Sequence, residues 1–241
     1  MVSGPVSTRS RLARLCVLVP LVGLGLAGCG ASGSQDAGSS ASGSASASAS
    51  KDGQCTYTPT QNGEVARKVD LPPSTPVATG DVAVTIQTNF GTLKATLDAK
   101  NAPCAVNSFL SLAKQGYYDK TPCHRITSDS RGFHVLQCGD PTGTGTGTPG
   151  YAFAEELTGQ EDYKIGSLAL ANTGQADTSG GQFFIDYDTT QLPKDYTQFG
   201  QLDAASIKLV QAEAKKATKG EADGYDGKPV VSVELVKVTQ G

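Results

Sequence analysis

The first regular hydrophobic pattern in the chain lies between residues 82 and 97. Residues 82–86 and 93–97 each carry an apolar side chain at every second position, and Asn89 and Gly91 lie between the two runs. A period of two is typical of a strand with one buried face. A link that contains Asn and Gly favours a tight reversal. The pattern therefore predicts a β-hairpin.

Two later segments have apolar residues at the spacing of an α-helix. Apolar residues recur at intervals of three and four between Pro103 and Gly116, and Gly116 stands where a helix C-terminal cap is expected. Residues 204–216 predict a second helix. Further apolar runs, which predict short strands, lie at 135–136, 167–170, 183–185 and 230–238. Many short strands with two helices indicate an antiparallel barrel or sandwich rather than repeated βαβ units.

The N-terminus has the layout of an export signal. Three arginines at positions 9–14 precede an apolar stretch, 15–26, that is short for a membrane-spanning helix. The stretch ends in Leu-Ala-Gly-Cys29, which resembles a bacterial lipobox, where the cysteine thiol receives a diacylglyceryl group. We expect residues 1–28 to be a lipoprotein signal peptide and Cys29 to be lipidated. An ordinary cleaved signal with a chance cysteine is the alternative.

A segment rich in Gly, Ala and Ser separates this signal from the folded part. Residues 30–50 contain one charge and no aromatic side chain, so they cannot bury enough apolar area to offset their ordering entropy. We expect a flexible linker over 29–53, an irregular, proline-rich N-terminal extension over 54–80, and one folded domain over 81–241. The expected location is outside the cytoplasm, on the outer face of the bacterial cell membrane, where the N-terminal lipid anchors the protein.

The cysteines indicate a disulfide framework. Cys29 is assigned to the lipid and the first cysteine leaves with the signal, which leaves four of the six. An even number in an oxidising compartment predicts two disulfides, with three possible pairings. Cys123 and Cys138 flank a predicted hairpin, which favours a cross-strand bridge, and Cys55 would then pair with Cys104. Four free buried thiols are the alternative.

The composition of the chain argues against two classes of ligand, nucleic acids and metal ions held by histidines. A formal net charge of −3 gives no basic surface for phosphates, which argues against nucleic acid, and two histidines argue against a histidine-rich metal site. Segment 139–150 is Gly-rich but lacks the Lys-Ser/Thr ending of a phosphate-binding loop. No Gly-x-Ser-x-Gly motif of hydrolases occurs. Glu155-Glu156 and the pair Asp186 and Asp188 are interpreted as solvated surface carboxylates.

Two pairs of segments carry more specific chemistry. They are 123–126 with 135–140, and 169–172 with 180–185. In neighbouring strands Arg125 and Gln137 can point to the same face, with Phe184 on a third strand. The alternative is that Arg125 is an ordinary surface cation and Phe184 a core residue.

At these segments, which read HRI, QCGD, ALAN and GGQFFI, the sequence resembles the cyclophilin family, most closely its secreted bacterial members. The resemblance covers about 82–238. It implies a mainly β fold, a closed eight-stranded antiparallel β-barrel capped by two α-helices. It also implies a peptidyl-prolyl cis-trans isomerase that acts on X-Pro bonds in peptides and unfolded exported proteins, without a cofactor. A monomer is expected. The alternative is a cyclophilin-fold peptide-binding or holdase module with little catalysis.

The resemblance also assigns residues. Arg125 matches the catalytic arginine, Gln137 the glutamine that orients it, and Asn172 the residue whose main chain holds the substrate carbonyl. His124 matches a structural position behind the cleft. The implied substrate-binding residues are Phe133, His134, Val135, Gly145, Ala171, Gln182, Phe184, Leu192 and Tyr196.

The chain departs from the family pattern in the proline pocket. The segment between Arg125 and Gln137 is longer than usual, so either Phe133 or His134 takes the aromatic position. Gln191 stands where a tryptophan is common, and Tyr196 where a histidine is common. Because that tryptophan donates a bond to cyclosporin in the family, we expect weak inhibition. These changes bear on substrate preference more than on activity.

Overall fold

The computed structural model describes residues 53–220 and 224–241. The predicted signal peptide, the lipid site at Cys29 and nearly all of the linker lie outside the described residues. Within the described part no helix is long and apolar enough to cross a bilayer. The helices are α1 (Pro103–Lys114) and α2 (Ala204–Ala217). The strands are β1 (Thr58–Pro59), β2 (Glu64–Val65), β3 (Asp81–Thr88), β4 (Gly91–Asp98), β5 (Thr121–Pro122), β6 (Arg125–Ser128), β7 (Val135–Cys138), β8 (Gly147–Thr148), β9 (Tyr151–Ala152), β10 (Ser167–Leu170), β11 (Phe183–Asp186), β12 (Gln198–Leu202), β13 (Tyr225–Gly227) and β14 (Glu234–Gln240).

Ten of the described strands form one curled antiparallel sheet, in the order β13-β6-β7-β11-β10-β12-β4-β3-β14-β5. The prediction of a mainly β fold with two helices is confirmed. The closed eight-stranded barrel is wrong, because the sheet is an open half-barrel of ten strands. The free edge of β6 is occupied by β13, which pairs Asp226 with Thr127. At the opposite end β5 is two residues long and contains Pro122, which has no N–H to donate to a further strand.

The predicted hairpin is β3 and β4, joined by a two-residue turn. Val84 faces Ala95 and Ile86 faces Leu93 in the register, and all four side chains are buried. The exposed residues alternate with them along both strands. The local period of two therefore sets which face of this hairpin joins the core.

Helix α1 packs its apolar face into the curl of the sheet. Phe109 contacts Phe183 of β11 with ring centroids 5.5 Å apart and Phe199 of β12 at 5.2 Å. Each of these buried rings removes enough apolar surface from water to contribute about 1.5–3 kcal/mol. The same packing fixes β11, which carries the candidate site on its other face.

A buried carboxylate caps α1. Glu156 is 9 % exposed, and its two oxygens accept hydrogen bonds from the N–H groups of Cys104 at 2.9 Å and Ala105 at 2.8 Å. The interpretation of Glu156 as a solvated surface group was wrong. The first N–H groups of a helix have no partner within the helix, and this distant carboxylate supplies one.

Two disulfides lie within the described residues, Cys55–Cys104 and Cys123–Cys138. This is the pairing that the predicted hairpin favoured. The first bridge ties the N-terminal extension to α1, with a Cα–Cα distance of 5.4 Å. The extension also adds strand β1 to β9 and, in parallel, β2 to β8. It is therefore anchored to the domain at several points.

Candidate active site

Arg125 and Gln137 lie opposite each other in β6 and β7, as the sequence predicts. Gln137 in turn faces Phe184 of β11, and Phe184 faces Ala169 of β10. Directly opposed residues of antiparallel strands project from the same face of a sheet. The four side chains therefore form one row across the sheet, with the guanidinium at one end and the aromatic ring near its middle.

A chain of amides orients the guanidinium. Arg125 Nη1 donates to Gln137 Oε1 at 3.5 Å, and Gln137 Nε2 donates to Gln182 Oε1 at 2.9 Å. Gln182 Nε2 then donates to the carbonyl oxygens of Gly145 at 2.9 Å and Gly147 at 3.1 Å. The position of Arg125 is thereby coupled to a Gly-rich loop on the far side of the cleft.

Asp226 holds the other side of the same guanidinium. Arg125 Nε donates to Asp226 Oδ1 at 2.7 Å and Nη2 donates to Oδ2 at 2.8 Å, the two-bond geometry that arginine and carboxylate favour. The hydrogen bond from Arg125 lowers the pKa of Asp226, and the hydrogen bond to Asp226 raises the pKa of Arg125. Nη1 lies outside this pair. The sequence alone does not reveal Asp226 as a site residue, since it is 101 residues from Arg125 and belongs to no motif.

Eight residues near the guanidinium form a partly buried apolar cluster, which we call the apolar pocket. Val135, Tyr163, Ala169 and Phe184 are buried, and Phe133, Ala171, Leu192 and Tyr196 pack against them. The rings of Phe184 and Tyr196 meet edge to face at 5.4 Å. Tyr163, which the sequence analysis did not single out, donates its hydroxyl to the carbonyl of Tyr196 at 3.0 Å. The sequence gives little indication of this role for Tyr163, because a single tyrosine in a loop belongs to no periodic pattern.

The structure distinguishes Phe133 from His134. Phe133 belongs to the apolar pocket, and its ring centroid lies 5.2 Å from Arg125 Cζ, within cation–π distance. His134 instead places Nδ1 2.9 Å from the carbonyl oxygen of Thr189 and its ring against Tyr187. Phe133 therefore takes the aromatic position, and His134 is not brought together with the pocket residues.

A second hollow, which we call the polar cavity, lies next to the apolar pocket and has a volume of about 360 Å³. It is bounded by Thr60, Asn62 and Gly63, loop 145–148, Tyr151, Ala152, residues 171–173, Thr178 and 180–182, together with Gln137. Five predicted site residues, Gln137, Gly145, Ala171, Asn172 and Gln182, line it. The side chain of Asn172 has partners outside the cavity: Nδ2 donates to the carbonyl of Asp195 at 2.8 Å, and Oδ1 accepts from Gly174 N at 2.9 Å. The cavity boundary is thus made largely of main chain and small neutral side chains.

Asp140 shapes the loop that borders this cavity. It is fully buried, and Oδ2 accepts hydrogen bonds from the N–H groups of Gly145 at 2.7 Å and Gly147 at 3.1 Å, while Oδ1 accepts from Thr142. Burial alone would raise the pKa of Asp140, but these hydrogen bonds lower it overall. His124 lies under Gly145 and is buried, which lowers its pKa. Both residues therefore support the cleft from behind.

This arrangement offers a directed cation beside an apolar hollow, which suits a neutral substrate that develops a lone pair during a conformational change. In residues 53–220 and 224–241 no group of three His, Cys, Asp or Glu side chains is placed to hold a metal ion.

Comparisons with known proteins agree on one family. The family model described as cyclophilin type peptidyl-prolyl cis-trans isomerase/CLD matches residues 83–240. The probable peptidyl-prolyl cis-trans isomerase B of Mycobacterium tuberculosis is 40 % identical over 198 residues, which cover 76 % of this chain and 63 % of that protein. The chain thus spans less than two thirds of that relative. Peptidyl-prolyl cis-trans isomerase A of the same organism is 36 % identical over 181 residues, 67 % of this chain and 95 % of that protein.

Solved structures give the same result. A cyclophilin type peptidyl-prolyl cis-trans isomerase of Cryptosporidium parvum is 31 % identical, with a TM-score of 0.59 over 67 % of this chain and 98 % of that one. A second structure of it, determined in the presence of the dipeptide Ala-Pro, gives a TM-score of 0.58. The matched residues 83–240 include Arg125, Gln137 and the whole apolar pocket. The chain belongs to the cyclophilin-type peptidyl-prolyl cis-trans isomerase family.

Proposed function

We propose that the chain catalyses cis-trans rotation about X-Pro peptide bonds. The observation that carries the proposal is the row of Arg125, Gln137 and Phe184 across three paired strands. It sets a hydrogen-bonded guanidinium beside a cluster of apolar side chains, and such a surface suits the apolar ring of proline.

The geometry suits a reaction in which no covalent bond forms or breaks. Planarity of the peptide bond creates a barrier of about 18–20 kcal/mol, because twisting the bond destroys its resonance. The twisted state localises a lone pair on the prolyl nitrogen, to which Arg125 Nη1 can donate. This interaction is available mainly in the twisted state, so it lowers the barrier instead of simply tightening binding. Lowering the barrier by about 7 kcal/mol accelerates exchange by roughly five decades.

The test is a proline-isomerisation assay on a short X-Pro peptide with the purified protein. Arg125→Ala is expected to lower kcat/KM at least about tenfold, the loss of one charged hydrogen bond in the transition state. Arg131→Ala is the matched control, because Arg131 lies in the same segment, is 88 % exposed and pairs with Asp129. An unchanged rate for Arg125→Ala, or an equal loss in both variants, would refute the role of Arg125.

A peptide-binding module with little catalysis is the second candidate. It is favoured by the pairing of Asp226 with two of the three guanidinium nitrogens, which leaves one nitrogen for the substrate. The two functions separate in one experiment that measures both isomerisation and suppression of aggregation of an unfolded protein. A protein that suppresses aggregation equally well with and without Arg125→Ala, and accelerates no X-Pro exchange, would be the binding module.

We further propose that the substrates are unfolded exported proteins at the outer face of the cell membrane, where a lipid on Cys29 retains a monomeric enzyme. The lipobox-like sequence and a pair of disulfides, which form in oxidising compartments, support this location. Cys29→Ser is expected to abolish incorporation of labelled fatty acid and to release the protein from the membrane fraction. Retention of the variant in that fraction would contradict the anchor.

A further inference from the structure

We propose that the turn between β1 and β2, residues 60–63, is a specificity-determining wall of the substrate cleft. In this view it contacts a substrate side chain a short distance along the chain from the proline, and it favours a neutral polar side chain over an acidic one. The inference rests on the proposed isomerase function, to which it adds a substrate preference.

The position of the turn places it in the path of a bound peptide. Thr60, Asn62 and Gly63 line the polar cavity together with Gln137 and Ala171. Ala171 also packs against the apolar pocket, and Gln137 holds Arg125. The two hollows therefore adjoin at Ala171, with Gln137 and Arg125 beside them. A peptide with its proline ring in the apolar pocket passes its neighbouring residues over the polar cavity.

The turn is held rigidly against the loop that it faces. Thr60 N donates to the carbonyl of Gly150 at 3.0 Å, and Glu64 N donates to that of Thr146 at 3.2 Å. Gly63 has a φ of +94°, and a side chain at that position would collide with the carbonyl oxygen of Thr146. The Cys55–Cys104 disulfide anchors the segment just before β1. Such a wall can discriminate, because binding does not have to order it first.

The charges around the cavity decide which side chains it accepts. The described residues that line it carry hydroxyl, amide or no polar side chains, and none is charged. Two carboxylates lie directly behind the lining: Asp140 accepts from Gly145 N at 2.7 Å, and Glu155 accepts from Asp177 N at 2.8 Å. Of the two cations of the N-terminal extension, Arg67 donates to the carbonyls of Gly116 and Tyr117, and Lys68 does not line the cavity. No cation among the described residues lines the cavity, and the nearby Arg125 is already paired with Asp226. An acidic substrate side chain would therefore lose water without gaining a free counter-charge, and it would face two like charges.

Two peptide series test the proposal. In each series one residue is varied among Gln, Glu and Lys, two places before the proline in one and two places after it in the other. In one of the two series, kcat/KM is expected to be about fivefold or more higher for the Gln peptide than for the Glu peptide. Asn62→Lys places a cation on the wall, and it should shrink that ratio to about one or invert it.

Gln61→Lys is the matched control. Gln61 is an exposed neighbour of Asn62 that does not line the cavity, so the same change of charge there should leave the Gln/Glu ratio unchanged. An equal response to both lysines would mean a general field effect and would overturn the proposal, as would a ratio near one in both series.

Calorimetric affinities for the same peptides separate this inference from the function beneath it. If the protein isomerises no peptide, it can still bind the Gln peptide more tightly than the Glu peptide, with a preference that Asn62→Lys removes. That result would support the role of the turn in specificity and refute the isomerase function. If the protein isomerises all peptides alike and binds them alike, the isomerase function stands and the wall fails.

Discussion

The two hollows of the cleft are built in opposite ways. The apolar pocket has three residues of paired strands at its base, Val135, Ala169 and Phe184, and the last two oppose each other in the register. The polar cavity is bounded by loops and by an extension that joins the domain from a distant part of the chain. Chemistry that must be the same for every proline thus rests on the sheet. Selection among neighbouring residues rests on loops that a rigid scaffold positions.

The largest predicted effect concerns the apolar pocket. Phe184 is 5 % exposed, and Phe184→Ala should remove the wall that grips the proline ring. We expect kcat/KM to fall by about tenfold or more, by a similar factor for every peptide of both series, and stability to fall by about 3 kcal/mol. Phe184→Leu, which keeps most of the volume, should lie in between and serves if the alanine variant does not fold. If kcat/KM fell for only some of the peptides, the apolar pocket would also select among neighbouring residues, which would contradict the division of roles between the two hollows.

The next effect concerns the anchor of the polar cavity. Replacing Cys55 and Cys104 together by alanine should lower the free energy of unfolding by about 2–4 kcal/mol, measured by urea denaturation. It should also weaken the Gln/Glu discrimination while catalysis on a two-residue Ala-Pro substrate persists. The same replacement of Cys123 and Cys138 is the control: its loop separates residues 15 apart rather than 49, so its loss should be about 1 kcal/mol smaller in the chain-entropy account. If the Gln/Glu ratio were unchanged without the first disulfide, the N-terminal extension would have no role in substrate specificity.

The difference between the hollows also explains what the sequence could predict. The row of Arg125, Gln137 and Phe184 follows from strand alternation within short segments, and the hairpin β3–β4 does too. A local period of two determines the face of each side chain without knowledge of the rest of the fold.

The remaining parts depend on contacts between distant segments. Asp226 reaches Arg125 only because β13 pairs with β6, and no local pattern in the sequence predicts this edge strand. Glu156 was interpreted as solvated because no local pattern reveals that its carboxylate meets the start of α1. Thr60 and Asn62 belong to a segment without periodicity. The alternation of side chains along a strand can be predicted from the sequence, whereas a contact between two distant loops cannot.

Two buried carboxyl groups extend the comparison to pH. Asp140, behind the polar cavity, has its pKa lowered by hydrogen bonds that outweigh burial. Asp186, on the strand that carries Phe184, has its pKa raised by burial to about 8, against a smaller opposite effect of the Thr190 hydroxyl. The prediction that Asp186 is a solvated carboxylate was wrong, since the residue is fully buried.

The stability consequences have opposite signs. The raised pKa of Asp186 stabilises the fold fully below pH 4, and this contribution is lost as the pH rises towards 8. The loss is about 1.4 kcal/mol between pH 6.5 and 7.5. Asp186→Asn should remove this slope, so that its melting temperature exceeds that of the unaltered protein increasingly as the pH rises. Asp140→Asn, the control, should be destabilised most above pH 4, because the stabilisation from a lowered pKa is lost only in acid. Parallel melting curves of the unaltered protein and Asp186→Asn over this range would refute the assignment.

The smallest predicted effect tests the connection between the sheet and its edge strand. Asp226 occupies Nε and Nη2 of Arg125 and leaves Nη1 directed towards Gln137, so we interpret it as a positioning residue. The side chain of Asp226 is 57 % exposed, and exposed ion pairs contribute little. Asp226→Asn, which keeps the shape but not the charge, should therefore lower kcat only about threefold and leave KM nearly unchanged.

Ionic strength separates a positioning role from a structural one for Asp226. Salt screens the exposed pair, so added salt should lower kcat of the unaltered protein more than that of Asp226→Asn, and the two should converge. Asp226→Glu should restore part of the rate, since it keeps the charge. A rate increase in Asp226→Asn would mean that the carboxylate competes with the substrate for the guanidinium. Strand β13 would then hinder the guanidinium of Arg125 through Asp226, and Gln137 alone would position Arg125.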